Sequence, residues 1–302
     1  MKLDHPLRSD NHKELRRRVV QFFHSSFKAP RTSNIVFVCG GNSSDHMRQR
    51  FNAFTRQLEL PYLFFQPEFA MDNIFSHAFP KQFDIADFET IIGNLSHAIV
   101  IFPEAAGSFA ETGYFSANEN LSKKSILVMD SSYQNTDSFI SLGPAKKIGE
   151  NSDYHPNIQL NYSSPDFHII LDRLSRIKIG KYYRRMQWRI ISDLSEHELF
   201  CLIYEIVRFL NILTIKDIEF FLRALSSSHV SVPRIHQISS ILVGSGMLTE
   251  VGDYGHLKAT NGTVDLLKVV EGSVSERNEL KLTMAGVYQN SDMEFRDLAE
   301  MA

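Results

Sequence analysis

The sequence predicts an α/β protein, with a Rossmann-like parallel sheet followed by an all-helical, winged-helix-like domain. Between residues 35 and 162, short runs of β-branched residues alternate with segments that repeat apolar residues at helical spacing. Loops rich in Gly or containing Pro follow two of these runs. Residues 195–260 change to three helical patterns and a short hairpin. Strands that alternate with helices form parallel sheets with right-handed crossovers, which is the basis of the prediction.

The composition is that of an ordinary globular protein with room for two domains. The chain has 302 residues, of which 43% are hydrophobic and 22% are charged, and its net charge of −3 does not by itself indicate nucleic-acid binding. The longest apolar runs, such as 97–102, are too short to cross a bilayer, and the start of the chain lacks an apolar signal core. We therefore expect a cytoplasmic protein with no membrane contact.

The two cysteines, Cys39 and Cys201, lie far apart in the sequence and form no CxxC pattern. Neither a disulfide framework nor a zinc site is indicated by this spacing. We expect both to be buried thiols and predict no metal site.

Residues 1–33 are predicted to form a helical appendage. Within them, residues 11–28 have a basic start followed by two valines and two phenylalanines, which is the pattern of a short amphipathic helix. A helix that packs its aromatic side chains on the body of the protein is favoured over a contact site.

Residues 34–165 carry the predicted sheet. The expected strands and helices, in order, are strand 35–39, helix 45–58, strand 62–66, helix 84–96, strand 97–102, strand 125–130 and strand 157–162. The carboxyl ends of parallel strands meet at one edge of a sheet. The loop after the first strand and the loop 103–108 are therefore expected to open on the same edge and to share one ligand.

The first strand ends in Cys39, Gly40, Gly41 and Asn42. A Gly-Gly turn after a strand can cradle a phosphate or a ribose, and we expect these four residues to hold part of a nucleotide. The full dinucleotide fingerprint GxGxxG is absent. A tight turn that needs a positive φ explains the glycines equally well.

The stretch from residue 99 to residue 113 has the pattern of a strand, a loop and a helix. Its Ser108-x-x-Glu111 is a helix start signal, which places Glu111 in the first turn. At the mouth of a parallel strand, this carboxylate is expected to be functional. The alternative is a capping box, in which Glu111 only returns a hydrogen bond to the amide of Ser108.

Three neighbours of Glu111 are predicted to contact the ligand. Gly107 has no Cβ and lets a sugar or phosphate approach the backbone, while the amides of residues 108–110, with Ser108, suit an anion. Glu104 lies in the same loop. We therefore expect Glu104, Gly107 and Ser108 to bind the substrate beside Glu111.

Residues 166–192 are predicted to form a basic connecting helix. The segment from 173 to 189 contains seven Lys or Arg residues, three aromatic residues and no acid. Cations interleaved with aromatic rings suit a phosphate backbone and stacked bases. The candidate nucleic-acid contacts are Lys181, Arg184, Arg185 and Arg189. A solvated helix between domains is an equal alternative.

Residues 193–302 are predicted to hold a winged-helix-like domain and a helical tail. Helices are expected at 195–211, 214–225 and 232–243, followed by a hairpin of two short strands. Arg234, His236 and Lys258 do not make a dense basic set, so protein contacts are favoured over the reading of base edges.

The loop and helix around Glu111 resemble two known families. The segment from Gly107 to Glu111 resembles the start of the catalytic helix of nucleoside 2-deoxyribosyltransferases. Pro103-x-x-x-Gly-Ser-x-x-Glu is similar to the nucleotide-binding motif of lysine-decarboxylase-like phosphoribohydrolases. A closer resemblance, through residues 35–41, 102–120 and 139–144, is to the effector of bacterial retron antiphage systems, which joins a deoxyribosyltransferase-like domain to a C-terminal winged helix.

This resemblance implies a toxin restrained by a retron reverse transcriptase and its RNA-linked single-stranded DNA. It implies NAD or a nucleotide as substrate, no separate cofactor, and a homo-oligomer or higher assembly. Residues 34–165 would then be the deoxyribosyltransferase-like catalytic domain, with Glu111 as the catalytic carboxylate. Deoxyribosyltransferases usually carry Asp two residues before the loop Gly, where this chain has Ala105 beside Glu104. That departure favours hydrolysis over base exchange.

The expected reaction is hydrolysis of the N-glycosidic bond of NAD or a related nucleotide. Breaking the C1′–N bond builds positive charge on the sugar, which a carboxylate can stabilise or attack. We expect Glu111 to do this and Glu104 to orient a ribose hydroxyl or a water. The main alternative is a non-catalytic nucleotide-sensing module with the winged helix as its output. A DNA-binding repressor is less favoured, because the basic set is sparse.

Overall fold

The computed structural model describes residues 4–30, 33–65, 85–133, 137–178, 183–186, 191–226, 230–260 and 265–300. These residues belong to two compact units. The helical unit comprises the described residues within 1–31 and 182–302, and the sheet unit comprises those within 32–67 and 83–181. No helix in the described ranges has the length and apolar character that crossing a bilayer requires.

The helices and longer strands follow one another along the chain. They are α1 (Lys13–Ser26), β1 (Phe27–Pro30), β2 (Ile35–Cys39), α2 (Met47–Thr55), β3 (Leu63–Phe65), α3 (Ile85–Leu95), β4 (Ala98–Ile101), α4 (Ala106–Ala117), α5 (Glu119–Lys124), β5 (Ser125–Asp130), α6 (Lys146–Asn151), β6 (Ile158–Leu160), α7 (His168–Ser175), β7 (Tyr183–Arg185), α8 (Glu196–Leu210), β8 (Ile212–Leu213), α9 (Ile215–Leu225), α10 (Val232–Gly244), β9 (Leu248–Val251), β10 (His256–Ala259), β11 (Lys268–Val269), α11 (Val274–Gln289) and α12 (Met293–Glu300).

The described strands of the sheet unit form one five-stranded sheet in the order β3-β2-β4-β5-β6. Every neighbouring pair is parallel. All residues of β2 and β4 are buried, as expected for strands covered by helices on both faces. The fold is α/β and compatible with a Rossmann-like arrangement, and the five strands predicted between residues 35 and 162 are confirmed.

The core of the sheet unit lies beside the end of β4. Phe51 of α2 and Phe102, the residue after β4, are fully buried. The Phe51 ring lies 5.8 Å from that of Phe102 and 5.4 Å from that of Phe167, measured between centroids. This packing fixes the point at which the chain leaves β4 and enters the loop before α4.

The helical unit contains the predicted helices and hairpin. Ser195 and Glu198 form a capping box at the start of α8, in which each side chain accepts from the other residue's amide at 3.3 and 3.1 Å. Thr214 and Asp217 do the same at the start of α9. The strands β8, β10 and β9 form an antiparallel sheet in that order. These local signals explain why the helices begin where the sequence predicts.

The N-terminal segment lies in the helical unit. The His5 amide donates to Asp217 Oδ1 at 3.2 Å, and Arg18 pairs with Glu279 at 2.6 Å. After α1, strand β1 forms the centre of a second antiparallel sheet in the order β11-β1-β7. The domain boundaries predicted at residues 33, 165 and 192 stay predictions.

The basic segment 166–192 is not one helix. The helix α7 ends at Ser175, and Tyr183–Arg185 form strand β7, which pairs with β1. The prediction of a single connecting helix is therefore wrong for the described residues. Pairing with a strand that is distant in the sequence outweighs the local helical pattern, because periodicity within one segment carries no information on such a partner.

Glu205 of α8 predicts a pH dependence of stability. Burial raises the pKa of its carboxyl to about 7, and the positive charge of Arg208 offsets this only in part. The unfolded chain ionises this group near 4.5, so the folded protein binds more protons and loses stability as the pH rises. Between about pH 5 and about pH 8, we expect the wild type to lose on the order of 2 kcal/mol of unfolding free energy relative to Glu205→Gln. Urea unfolding of both proteins at both pH values measures this difference. The same change in unfolding free energy with pH in the wild type and in Glu205→Gln would contradict it.

Candidate functional site

The candidate site lies at the carboxyl ends of β2 and β4. From β2 the chain crosses to β3 on one side, and from β3 it crosses back to β4 on the other side of β2. Cys39 lies opposite Ile101, so both strands end at the same level. Loops that follow two such strands diverge and leave a crevice, which is where open α/β sheets bind ligands.

Glu104 joins the two loops. Its Oε1 accepts hydrogen bonds from the amides of Gly41 at 3.0 Å and Arg48 at 3.2 Å, and its Oε2 accepts from the amide of Met47 at 2.6 Å. Glu104 thus caps α2, a helix whose own N-cap residue makes no side-chain cap. The expected meeting of the two loops is confirmed. The expectation that Glu104 orients a ribose hydroxyl or water stays a prediction.

Close packing requires glycine at position 40, whereas at position 41 a Cβ would require the His46 side chain to move. A Cβ on Gly40 would lie 2.6 Å from Arg48 Cβ, and one on Gly41 would lie 1.9 Å from His46 Nδ1. Neither glycine has a positive φ, so the interpretation as a tight turn with positive φ is wrong. Asn42 follows them and is exposed. The predicted role of these residues in holding a nucleotide stays a prediction.

The helix α4 begins earlier than predicted. Ala105 is its N-cap and Ala106 its first residue, so Ser108 is the third residue and Glu111 lies in the second turn. The Ser108 hydroxyl turns back, accepts from the amides of Glu104 and Ala105 at 3.0 Å, and donates to the Ala105 carbonyl at 2.9 Å. Placing Glu111 in the first turn was wrong, and so was the capping box between Ser108 and Glu111.

This shift moves the expected anion site toward the start of the helix. The amide of Phe109 is bonded to the Ala105 carbonyl at 3.0 Å, so it is not available to a ligand. Helix geometry instead leaves the amides of Ala106, Gly107 and Ser108 outside the helical ladder. Gly107 and Glu111 are four residues apart, so they lie one above the other on the same face of α4.

Gly107→Ala tests whether a ligand approaches this end of α4. A Cβ at Gly107 meets no atom within 4 Å, so the substitution leaves the fold intact. If a nucleotide lies there, its KM should rise about tenfold, which is a loss of about 1.4 kcal/mol of binding. Gly113→Ala is the matched control, because its Cβ also meets nothing within 4 Å and Gly113 lies further along the same helix. Equal KM values in both variants would contradict a ligand at Gly107.

Glu111 is in contact with the end of β2. The buried Cys39 thiol hydrogen-bonds to the Glu111 carboxylate. Burial raises the pKa of Cys39 well above its usual value, and the negative charges of Glu111 and Glu89 raise it further. Cys39 therefore stays protonated and donates to Glu111, which is half-buried. Both cysteines are free and buried, as predicted.

Two buried charged residues of this site were missed from the sequence. Glu89 of α3 is 8% exposed, and Arg48 of α2 is 1% exposed. Arg48 donates from Nε to the Gly41 carbonyl at 3.2 Å, and its charge lowers the pKa of Cys39. Both residues lie along the apolar face of a predicted helix: Arg48 is one turn before Phe51, and Glu89 is one turn before Ile92. A charge at such a position is the signal that could have identified both residues.

Of the four predicted nucleic-acid contacts, two lie within the described residues, and these two have different partners. Lys181 and Arg189 lie outside the described residues. Arg184 hydrogen-bonds to Glu198 Oε1 through Nε at 2.7 Å and also through its terminal amino group. Arg185 is exposed. Arg184 is thus tied to the start of α8, although its side chain is also exposed, and Arg185 is the described member of the set without an ion pair.

Part of the chain is similar in sequence to two known Escherichia coli proteins. The chain is 34% identical over 115 residues to an Escherichia coli protein of retron Ec86, covering 37% of this chain and 36% of that protein. It is 31% identical over 126 residues to an Escherichia coli protein of retron Ec73, covering 39% and 38%. The names of both propose a ribosyltransferase and DNA-binding protein. The matches thus span little more than a third of either relative.

A family match covers much more of the chain. Residues 44–250 match the family described as the STM3845 retron effector protein. This range includes Glu104, Gly107 and Glu111, and it extends through α10. More than half of the 302 residues lie within it. The chain therefore belongs to the STM3845 retron effector family.

Proposed function

We propose that this retron effector is an N-glycosidase that hydrolyses the N-glycosidic bond of NAD or a related nucleotide. The observation that carries the proposal is the Glu111 carboxylate, which lies one turn above the open start of α4 at the sheet edge. The names of the two Escherichia coli relatives, which propose a ribosyltransferase, support this class of chemistry. We infer a deoxyribosyltransferase-like domain from the same strand, loop and helix.

The reaction needs one well-placed carboxylate. As the C1′–N bond breaks, its electron pair leaves with the base and positive charge develops on the sugar, which Glu111 stabilises or attacks. The nicotinamide of NAD already carries a positive charge and leaves as a neutral base. Water then supplies the hydroxyl at C1′, which yields ADP-ribose, nicotinamide and a proton. Burial and the nearby Glu111 charge keep the Cys39 thiol beside this carboxylate protonated, because both raise the pKa of the thiol.

Binding is assigned to groups on both loops. The first amides of α4, at Gly107 and Ser108, suit a phosphate oxygen, because they lie outside the helical ladder at the positive end of the helix dipole. Gly40, Gly41 and Asn42 hold another part of the nucleotide from the opposite loop. Glu104 keeps that loop in place through its contact with the Gly41 amide.

We infer that the helical unit contains a winged helix. The order of elements supports this inference: α8, β8, α9, α10 and the hairpin of β9 and β10 follow one another along the chain. The strands form an antiparallel sheet in the order β8-β10-β9. Its basic residues are few. Arg234 pairs with Glu196, and His236 and Lys258 are each 8% exposed. We therefore assign this winged helix to protein contacts.

The wider proposal is a toxin that a retron reverse transcriptase and its RNA-linked single-stranded DNA hold inactive. Membership of a retron effector family supports association with such components. A homo-oligomer or higher assembly is part of the same proposal. Co-purification of the full chain with a co-expressed reverse transcriptase, before and after nuclease treatment, tests whether the DNA is needed for the complex.

The activity is tested by measuring NAD and deoxynucleosides in cells that express the chain alone or with its reverse transcriptase. Loss of NAD with release of free nicotinamide, measured by mass spectrometry, supports the proposal. Incubation of purified protein with NAD distinguishes the glycosidase from the alternative, a nucleotide sensor. A sensor binds NAD but releases no base. The inferred winged helix favours that alternative by offering an output domain.

A further inference from the structure

The sheet β11-β1-β7 aligns three cations from distant parts of the chain. Lys28 lies opposite Arg185 on one side and opposite Lys268 on the other. Directly opposite residues of an antiparallel pair point to the same face. Arg185, Lys28 and Lys268 therefore form a row across all three strands. Like charges placed opposite each other destabilise a sheet, so this row has an energetic cost in the absence of an anion.

The burial of the strands shows which face carries the row. Phe27 and Ala29 of β1 are buried, whereas Lys28 between them is half-buried. Arg185 and Lys268 are exposed. Successive residues of a strand point to opposite faces. The row therefore lies on the outer face, and the phenylalanine side of the sheet lies on the inner face.

Arg184 and Arg185 have different positions on this sheet. Arg184 lies opposite Ala29, on the inner side, and its guanidinium is hydrogen-bonded to Glu198. Arg185 lies on the outer face beside Lys28. Both arginines are exposed, but they differ in their partners: Arg184 is paired with Glu198, whereas Arg185 has no ion pair among the described residues.

An aromatic ring completes the outer face. Tyr183 is two residues before Arg185 and lies on the same face. The Lys268 ammonium lies 4.1 Å from the centroid of the Tyr183 ring, which holds this charge in place by a cation–π contact. We call Tyr183, Arg185, Lys28 and Lys268 the cationic face.

Acids within the described part of the chain do not neutralise the charge of the cationic face. Among the described residues, the ion pairs within 4.0 Å involve none of its three cations. The sequence from 173 to 190, which includes β7, contains no Asp or Glu. A chain with a net charge of −3 thus concentrates positive charge on one small sheet.

We propose that the cationic face binds the backbone of a single-stranded nucleic acid. Neighbouring strands are about 4.8 Å apart, so the row spreads three charges over about 10 Å, a reach suited to successive phosphates. The Tyr183 ring on the same face offers a stacking surface to an unstacked base, which a duplex does not present. The proposal rests on the nucleic-acid partner proposed above and is independent of the glycosidase reaction.

The test is the affinity of the purified full chain for a labelled dT20 oligonucleotide, measured by fluorescence anisotropy at several salt concentrations. Lys28→Gln/Arg185→Gln/Lys268→Gln removes the row. Each phosphate contact on a single strand contributes a slope of about 0.7 in log K against log salt, so three contacts change the slope by about 2. At about 0.1 M salt the same relation predicts a Kd about 100-fold weaker.

The matched control is Lys13→Gln/Arg17→Gln/Lys216→Gln, which removes the same charges from exposed positions of the same unit. We expect it to bind like the wild type. Equal weakening by both triple variants, or wild-type binding by the first, would overturn the cationic face. Binding of a duplex as tight as that of dT20 would overturn the single-strand assignment. No binding by the wild type would instead contradict the nucleic-acid partner itself.

A single variant covers the case in which the triple variant does not fold. Arg185 is exposed, so Arg185→Gln leaves the fold intact and should weaken Kd about fivefold at about 0.1 M salt. Circular dichroism spectra establish that each variant is folded before its affinity is compared. Unchanged affinity in folded Arg185→Gln would also overturn the proposal.

Discussion

Glu111→Gln should reduce NAD cleavage by about a thousandfold, because the amide neither stabilises the positive sugar nor attacks C1′. The side chain keeps its size and its place in α4, so NAD binding should persist. Release of nicotinamide from the purified chain, followed by chromatography, gives the rate. Calorimetric titration with NAD gives the affinity. Loss of rate with retained binding is the signature of a residue that acts on the reacting bond.

Glu119→Gln is the control for this experiment. It makes the same chemical change on the next helix, where Glu119 is exposed and pairs with Lys123 at 2.8 Å. We expect its rate to equal that of the wild type. Full activity in Glu111→Gln would refute the assignment of the carboxylate. Binding without base release in both the wild type and the variant would favour the sensor.

Glu104→Ala is expected to destabilise the sheet unit by about 3 kcal/mol, because three hydrogen bonds to a charged group are lost and water replaces part of their free energy at this half-buried position. The variant removes the acceptor of three amides and leaves α2 without its cap. The Gly41 loop would lose its link to β4 at the same time. Urea unfolding, followed by circular dichroism, measures the loss.

Glu104→Gln separates the two roles that this residue can have. Its one carbonyl oxygen can still accept from the amides of Gly41 and Arg48, whereas its amino group cannot accept from the amide of Met47, so we expect about half of the lost stability to return. If Glu104 also orients a ribose hydroxyl or water, kcat of the folded Gln variant should fall by more than its partial loss of stability accounts for. Wild-type stability in Glu104→Ala would contradict the structural role.

Local patterns were sufficient for most elements of both units. The apolar run 125–130 was predicted with the bounds that β5 has. The capping pairs Ser195 with Glu198 and Thr214 with Asp217 mark the starts of α8 and α9, because each satisfies amides at a helix start within four residues. Signals of this kind act over one turn of helix or one strand, so they are visible in the sequence alone.

The candidate site was predicted in part. The meeting of the Gly41 loop with Glu104 followed from parallel strands ending at one edge. The start of α4 was misplaced because the Ser108 hydroxyl bonds back to Ala105 rather than forward along the helix. Arg48 and Glu89 were missed because their charges join the site only when α2 and α3 pack against the sheet.

The sequence by itself determined the alternation of strands and helices, the glycines of the loop after β2, and the carboxylate at the end of β4. These depend on periodicity and on residue types within short segments. Tertiary structure decided which charged groups meet. It buried Arg48 beside Gly41, joined Cys39 to Glu111, and set Lys28 between Arg185 and Lys268. Such contacts join residues far apart in the chain, and their energies depend on burial and strand register, which no local pattern specifies.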